Sequence, residues 1–184
     1  MFKPRTVLSL TVLLIGLLLS LGAAQAFAQA ETEEEKQDRL YREDYDRVQK
    51  LVKISDPMKR ADQLFAFIKE RPDSKLVPYA EDNYFMILDN LGKQESNPAL
   101  LSLSQRLINL RPKTGETYYF YALALKNASK FSEAIDALAK CYVLKNKLSQ
   151  RAYSALEMMY KARNQGSLAG LDKVIKKAQD EAGN

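Results

Sequence analysis

A tyrosine followed at fixed intervals by small and aliphatic residues returns four times along this chain, and that period constrains its fold more than any other feature. Tyr45, Tyr84, Tyr118 and Tyr153 each open one unit. In the best-formed unit Tyr118 is followed by Tyr121-Ala122 and Leu125, then by Ala134 and Leu138, and Asn146 closes it. The tyrosines stand 39, 34 and 35 residues apart. In the first three units a small or aliphatic residue follows 16 positions later, at Ala61, Leu100 and Ala134. A repeat of this length is one supersecondary unit that buries its apolar face only against its neighbours. The extra residues of the first period fall at 73–78, between units, where insertions are tolerated.

The units read as helix pairs. Ser55-Asp56-Pro57 and Ser96-Asn97-Pro98 place a capping side chain before a proline suited to the first helical position. Arg71-Pro72 and Arg111-Pro112 end those helices, because the residue before proline is pushed out of the helical region. Between these signals the apolar residues fall on one helical stripe. They are Met58, Ala61, Leu64, Phe65 and Ile68 in one helix, and Leu100, Leu103, Leu107 and Leu110 in the next. A third stripe holds Phe131, Ala134, Ile135, Leu138, Cys141 and Tyr142. Short polar turns lie at 126–130 and 164–167, and no sustained alternation argues for strands.

This spacing resembles the tetratricopeptide repeat (TPR) pattern, without its Trp and Gly. The resemblance implies an all-α fold, a right-handed α-solenoid of about four TPR-like hairpins over residues 41–184. A plain helical bundle is the competing architecture. The resemblance also implies a groove lined by the first helix of each hairpin. Phe85 and Asp89 would line it from the second hairpin, and Tyr119, Leu123 and Lys126 from the third. Ser154, Met158 and Lys161 would follow from the fourth, with Arg151 at the rim. Tyr118, Tyr121 and Tyr153 are then expected in the core, and contact with a neighbouring helix is the competing role for Tyr119 and Leu123. Tyr119 and Leu123 stand where chaperone-binding members carry polar clamp residues, which sets this chain apart from that activity.

The N-terminus has the order of a secretory signal peptide. Lys3 and Arg5 precede an uncharged stretch, residues 6–30, with its apolar core at 7–21. Three small-x-small sites follow, ending at Ala26, Ala28 and Ala30. Residues 1–30 are therefore expected to be a signal segment, with the bacterial periplasm as first destination and secretion or an uncleaved membrane anchor as alternatives. Without those residues the count is 26 bases against 23 acids, so the net charge falls from +5 to +3.

Charge is unevenly placed. Residues 31–46 carry eight acids and three bases, and 31–40 reads as an acidic, flexible lead-in that turns helical near Leu40. Residues 101–184 carry 14 bases against seven acids. That basic half suits an acidic partner or an anionic surface, although ordinary solvated helix surface explains it too. The bases are dispersed, and nucleic acid is not an expected partner.

The chain has no His and one Cys. The usual nucleophile triads, a conventional zinc site, an iron–sulfur cluster and an intramolecular disulfide are excluded on that inventory. Its seven glycines are scattered rather than gathered in a phosphate loop. Glu81, Asp82 and Asp89 form the best carboxylate grouping, and solvated helix acids are the ordinary reading of it. Cys141 is expected to be an inert packing thiol, with an intermolecular disulfide as the alternative. No cofactor and no metal are expected. The sequence reads as a non-catalytic protein–protein interaction scaffold or adaptor of the cell envelope, holding a peptide or helix of an unidentified partner. The runner-up is a peripheral binder of anionic membrane or cell wall that uses the basic C-terminal half.

Overall fold

The computed structural model describes residues 32–94 and 97–183, and the expected signal segment at 1–30 lies outside them. The described residues form eight helices and no strand. They are α1 (Glu33–Leu51), α2 (Pro57–Glu70), α3 (Val77–Lys93), α4 (Asn97–Leu110), α5 (Gly115–Asn127), α6 (Phe131–Val143), α7 (Ser149–Arg163) and α8 (Leu171–Gly183). None of them is long and apolar enough to cross a membrane.

The chain divides into two compact units at residues 43 and 44. The described part of the first is the start of α1. This helix begins at Glu33, not near Leu40 as the charge pattern suggested. The cause is a capping box. Glu35 N–H donates to Thr32 Oγ1 (3.2 Å), and Thr32 N–H donates back to the Glu35 carboxylate (2.9 Å). Glu33, Glu34 and Glu35 then sit in the first turn, where the helix dipole favours negative charge.

In the second unit the Asp56-Pro57 signal acts as expected, whereas Asn97 is already inside the next helix with its Oδ1 buried and without a hydrogen-bond partner among the described residues, so the expected Asn cap is not made. The Asp56 carboxylate accepts from the N–H groups of Met58 (2.8 Å) and Lys59 (3.1 Å), with Pro57 opening the helix. α2 ends at Glu70, before Arg71-Pro72, and α4 ends at Leu110, before Arg111-Pro112. Three other helix ends use residues at positive φ, one of them Lys145 (φ 46°) beyond α6. Beyond α5, Ser129 has φ 60°, and Lys130 N–H reaches back to the Leu125 carbonyl. Beyond α7, Gln165 has φ 51°, and Gly166 N–H reaches back to the Lys161 carbonyl. The closures at Ser129 and Gln165 follow the Schellman pattern with a non-glycine residue in the left-handed position.

From α2 to α8, the principal helix contacts join elements one or two apart in the chain. Successive helices pair from α2 to α7. In addition α2 meets α4, α3 meets α5, α5 meets α7, and α6 meets α8. Leu64, Phe67, Ile68, Leu88, Leu100, Leu107, Leu125, Leu138 and Leu156 are all buried in one continuous core. Each such side chain contributes about 1.5–3 kcal/mol on burial. Tyr84 is fully buried and donates its hydroxyl to the Leu103 carbonyl at 3.0 Å, which ties α3 to α4.

Three features of the expected stripes differ. In α2 it is Phe67 that is fully buried, while Phe65 is half-buried and Met58 exposed. In α6, Phe131 is half exposed at 50%. In α5, Tyr119 is buried at 4% exposure, whereas Tyr118 and Tyr121, expected in the core, are half-buried. The reason is the position of α5, which packs against α3, α4, α6 and α7. Nearly every face of it is covered, so its burial does not follow a single stripe.

Candidate functional site

The residues expected to line a groove fall into two neighbourhoods. The first lies where α3, α5 and α7 adjoin. Phe85 on α3 stacks on Phe120 of α5, with ring centroids 6.0 Å apart. Tyr119 meets Phe120 edge-on at 5.6 Å. The Arg151 guanidinium of α7 lies over the Tyr119 ring, 5.0 Å from its centroid. A cation so placed on an aromatic face is held by about 0.5–1 kcal/mol at an exposed site. Tyr119 is thus covered, and Arg151 is the exposed group that a ligand would meet there. Burial raises the Tyr119 phenol above its ordinary range, while Arg151 pulls it back down. Leu123 is half-buried on the same helix, and Gly92 of α3 faces it closely enough that a Cβ there would lie 3.8 Å from Leu123 Cδ1. Asp89 pairs with Lys93 one turn on.

The second neighbourhood is an open-mouthed cleft of about 620 Å³ between the α5–α6 turn and the C-terminal end of α7. Of the expected residues it contains Lys126 and Met158. Its apolar wall is Phe131, Met158, Met159 and Ala162. Phe131 and Met158 are among the large apolar side chains most open to solvent, at 50% and 68%. Lys126, Lys130 and Arg163 supply three positive charges against the single carboxylate of Glu133, which lies 3.8 Å from Lys130 Nζ. Lys161 and Ser154 are exposed on α7 outside this cleft.

The sequence reading missed Lys130, Phe131, Met159 and Arg163 as site residues. The turn at 126–130 was visible, but its left-handed closure at Ser129, which sets Phe131 beside the end of α7, was not. An apolar residue directly after a polar turn was the one available signal, and it read as the start of a core stripe.

The acids considered for chemistry each face a base. Arg111 Nε lies 3.2 Å from Glu81 Oε1, Lys147 Nζ lies 2.9 Å from Asp82, and Asp89 has Lys93. Burial raises the Glu81 carboxyl above the usual range, with Arg111 opposing and Glu116 and Asp82 adding to the rise. Cys141 is fully buried, and burial pushes its thiol up to about 11, against the hydrogen bond from Asn146. A thiol so placed offers little thiolate at neutral pH. Among the described residues no group of three His, Cys, Asp or Glu side chains is placed to hold a metal ion.

Compared with protein-family models, with curated proteins and with solved structures, the chain matches none.

Proposed function

We propose that this chain is a non-catalytic protein–protein interaction scaffold, exported to the cell envelope, and built as a short right-handed α-solenoid of TPR-like hairpins. The observation that carries this reading is the order of the helix contacts. Of the odd helices α5 adjoins both α3 and α7, and the even pairs α2–α4 and α6–α8 also meet. Hairpins stacked in line make that pattern, because each repeat contacts only its neighbours. A stack of this kind sets the first helices of successive hairpins side by side as one surface. Here that surface presents the exposed Arg151 lying over the buried Tyr119 ring, and the half-buried Phe85 stacked on the buried Phe120. Aromatic area with a movable cation at its edge suits an extended peptide or a helix.

The competing reading, a binder of anionic membrane or cell wall, rests on the basic C-terminal half. Several of those bases are already engaged: Lys140 with Glu181 at 2.8 Å, Lys147 with Asp82, and Lys177 with Asp136 at 3.5 Å. The net positive field is smaller than the count of lysines suggests.

The test is co-purification from chemically crosslinked cells of the unmodified chain and of Arg151→Glu. The reading expects a protein partner that the charge reversal depletes at least tenfold. Recovery of no protein partner, or sedimentation with anionic vesicles that salt abolishes, would favour the competing reading.

A further inference from the structure

The cleft between the α5–α6 turn and the end of α7 shares no residue with the Phe85–Tyr119–Arg151 surface, and its chemistry is more selective. Two of the most solvent-open large apolar side chains of the second unit, Phe131 and Met158, share it. In an isolated water-soluble chain such side chains lower the free energy by leaving water, so a gathered exposed pair marks a contact surface. The residues here come from different helices, and α6 begins where it does because Ser129 takes the left-handed conformation. The wall is concave and of the size of cavities that hold a few side chains. Met supplies an adaptable, polarizable surface for an apolar anchor.

The rim decides the sign of the occupant. Lys126 and Arg163 have no carboxylate partner among the described residues, and Lys130 shares Glu133 at only 3.8 Å. The cleft therefore holds a net positive charge beside an apolar wall. A basic peptide would add to that charge. A flat bilayer would not reach apolar side chains that line a concavity. The geometry points to a peptide ligand: this cleft binds an acidic segment of a protein partner, seating one large aliphatic or aromatic side chain against Phe131, Met158 and Met159 while neighbouring Asp or Glu side chains meet Lys126, Lys130 and Arg163. The inference rests on the reading of the chain as a protein-binding scaffold, and it adds a second, charge-selective site on that scaffold.

The experiment is a fluorescence anisotropy titration of the purified chain with three probes. The first is a labelled peptide of Asp and Glu residues around one Leu and one Phe. The second is the same peptide with Lys in place of each acid. The third is vesicles containing phosphatidylglycerol, followed by sedimentation. The acidic peptide is expected to bind, to weaken with added salt, and to lose at least tenfold in affinity with Met158→Asp and with Lys126→Glu. Both side chains are exposed, and circular dichroism of each variant should match the parent. The Lys peptide is expected to bind at least tenfold more weakly. Equal binding of both peptides, or acidic-peptide binding unmoved by Met158→Asp, overturns the site. Vesicle binding lost in the same two variants overturns it in favour of a membrane. Loss of acidic-peptide binding in Arg151→Glu but not in Met158→Asp removes the cleft and leaves the scaffold reading standing. Absence of any peptide binding, together with no crosslinked protein partner, removes both.

Discussion

Gly115 has no side chain because Asn146 occupies the place where one would be. A Cβ on Gly115 would lie 2.2 Å from Asn146 Nδ2 and 3.0 Å from Leu144 Cβ. Asn146 in turn organises the α6–α7 connection. Its Nδ2 donates to the Cys141 carbonyl at 2.6 Å, its Oδ1 accepts from Leu148 N–H at 2.8 Å, and its own N–H donates to Ser149 Oγ at 2.7 Å. Asn146, where the third tyrosine-led unit of the sequence ends, is thus the residue that joins α6 to α7.

Gly115→Ala should therefore destabilise the chain by about 1–3 kcal/mol, through overpacking against a group that is fixed by hydrogen bonds. Asn146→Ala should cost about 1–2 kcal/mol by leaving the Cys141 carbonyl and the Leu148 N–H without that partner. Because one side chain causes both effects, Gly115→Ala should cost less in the Asn146→Ala background. Urea unfolding of the four proteins reads all three values. Strictly additive losses would contradict the arrangement.

Gln165→Gly should stabilise the chain by about 1 kcal/mol, because Gln165 sits at φ 51° and glycine meets no Cβ penalty there. The expected result is a higher urea midpoint at unchanged slope. An unchanged or lower midpoint would mean that the Gln165 side chain offsets its backbone cost.

Cys141 should not react with a thiol reagent at pH 8 while the chain is folded, since its thiol is buried and pushed up to about 11. Reaction should appear only as denaturant unfolds the chain. The sign of the linked stability effect follows. The folded thiol ionises at higher pH than the ordinary value of 9.0, so its contribution is full below about pH 9 and is lost as pH rises towards 11. Cys141→Ala should remove that part of the alkaline loss. Rapid labelling of the native chain would rule out the burial described here.

Glu81 should favour the fold on the acid side. Its folded carboxyl is raised above 4.5, mainly by burial, so the folded chain takes up its proton before the unfolded chain does. As pH falls from 7 towards 4.5, the parent should gain stability relative to Glu81→Gln. Chemical unfolding of both proteins at pH 7 and pH 5 measures the difference. A relative loss at pH 5 would mean that Arg111 outweighs burial at this site.

Helix boundaries were the legible part of the fold. Asp56-Pro57 and Arg71-Pro72 bracket α2 because cap and proline chemistry is local. The Thr32–Glu35 capping box was equally local, but the acidic run around it suggested a solvated lead-in. The register of α5 was not legible. Tyr118-Tyr119-Phe120-Tyr121 and the Ala and Leu residues after them are apolar at almost every position, so no stripe marks which side faces the core. Packing on four neighbouring helices decides that, and it buries Tyr119 under Arg151. Lys126 and Met158 each stand at an expected groove position of their own repeat unit. Their meeting with Phe131 and Arg163 depends on the turn at Ser129 and on the packing of α7 against α6, which no local spacing encodes.

The proposed protein-binding surface is the α3–α5–α7 side of the chain. A photo-crosslinking residue placed at Arg151 on α7, compared in intact cells with the same residue at exposed Ser102 on α4, tests it most directly. A discrete protein adduct is expected from position 151 and none from position 102. Equal adducts from both positions, or no protein adduct from either, would contradict it.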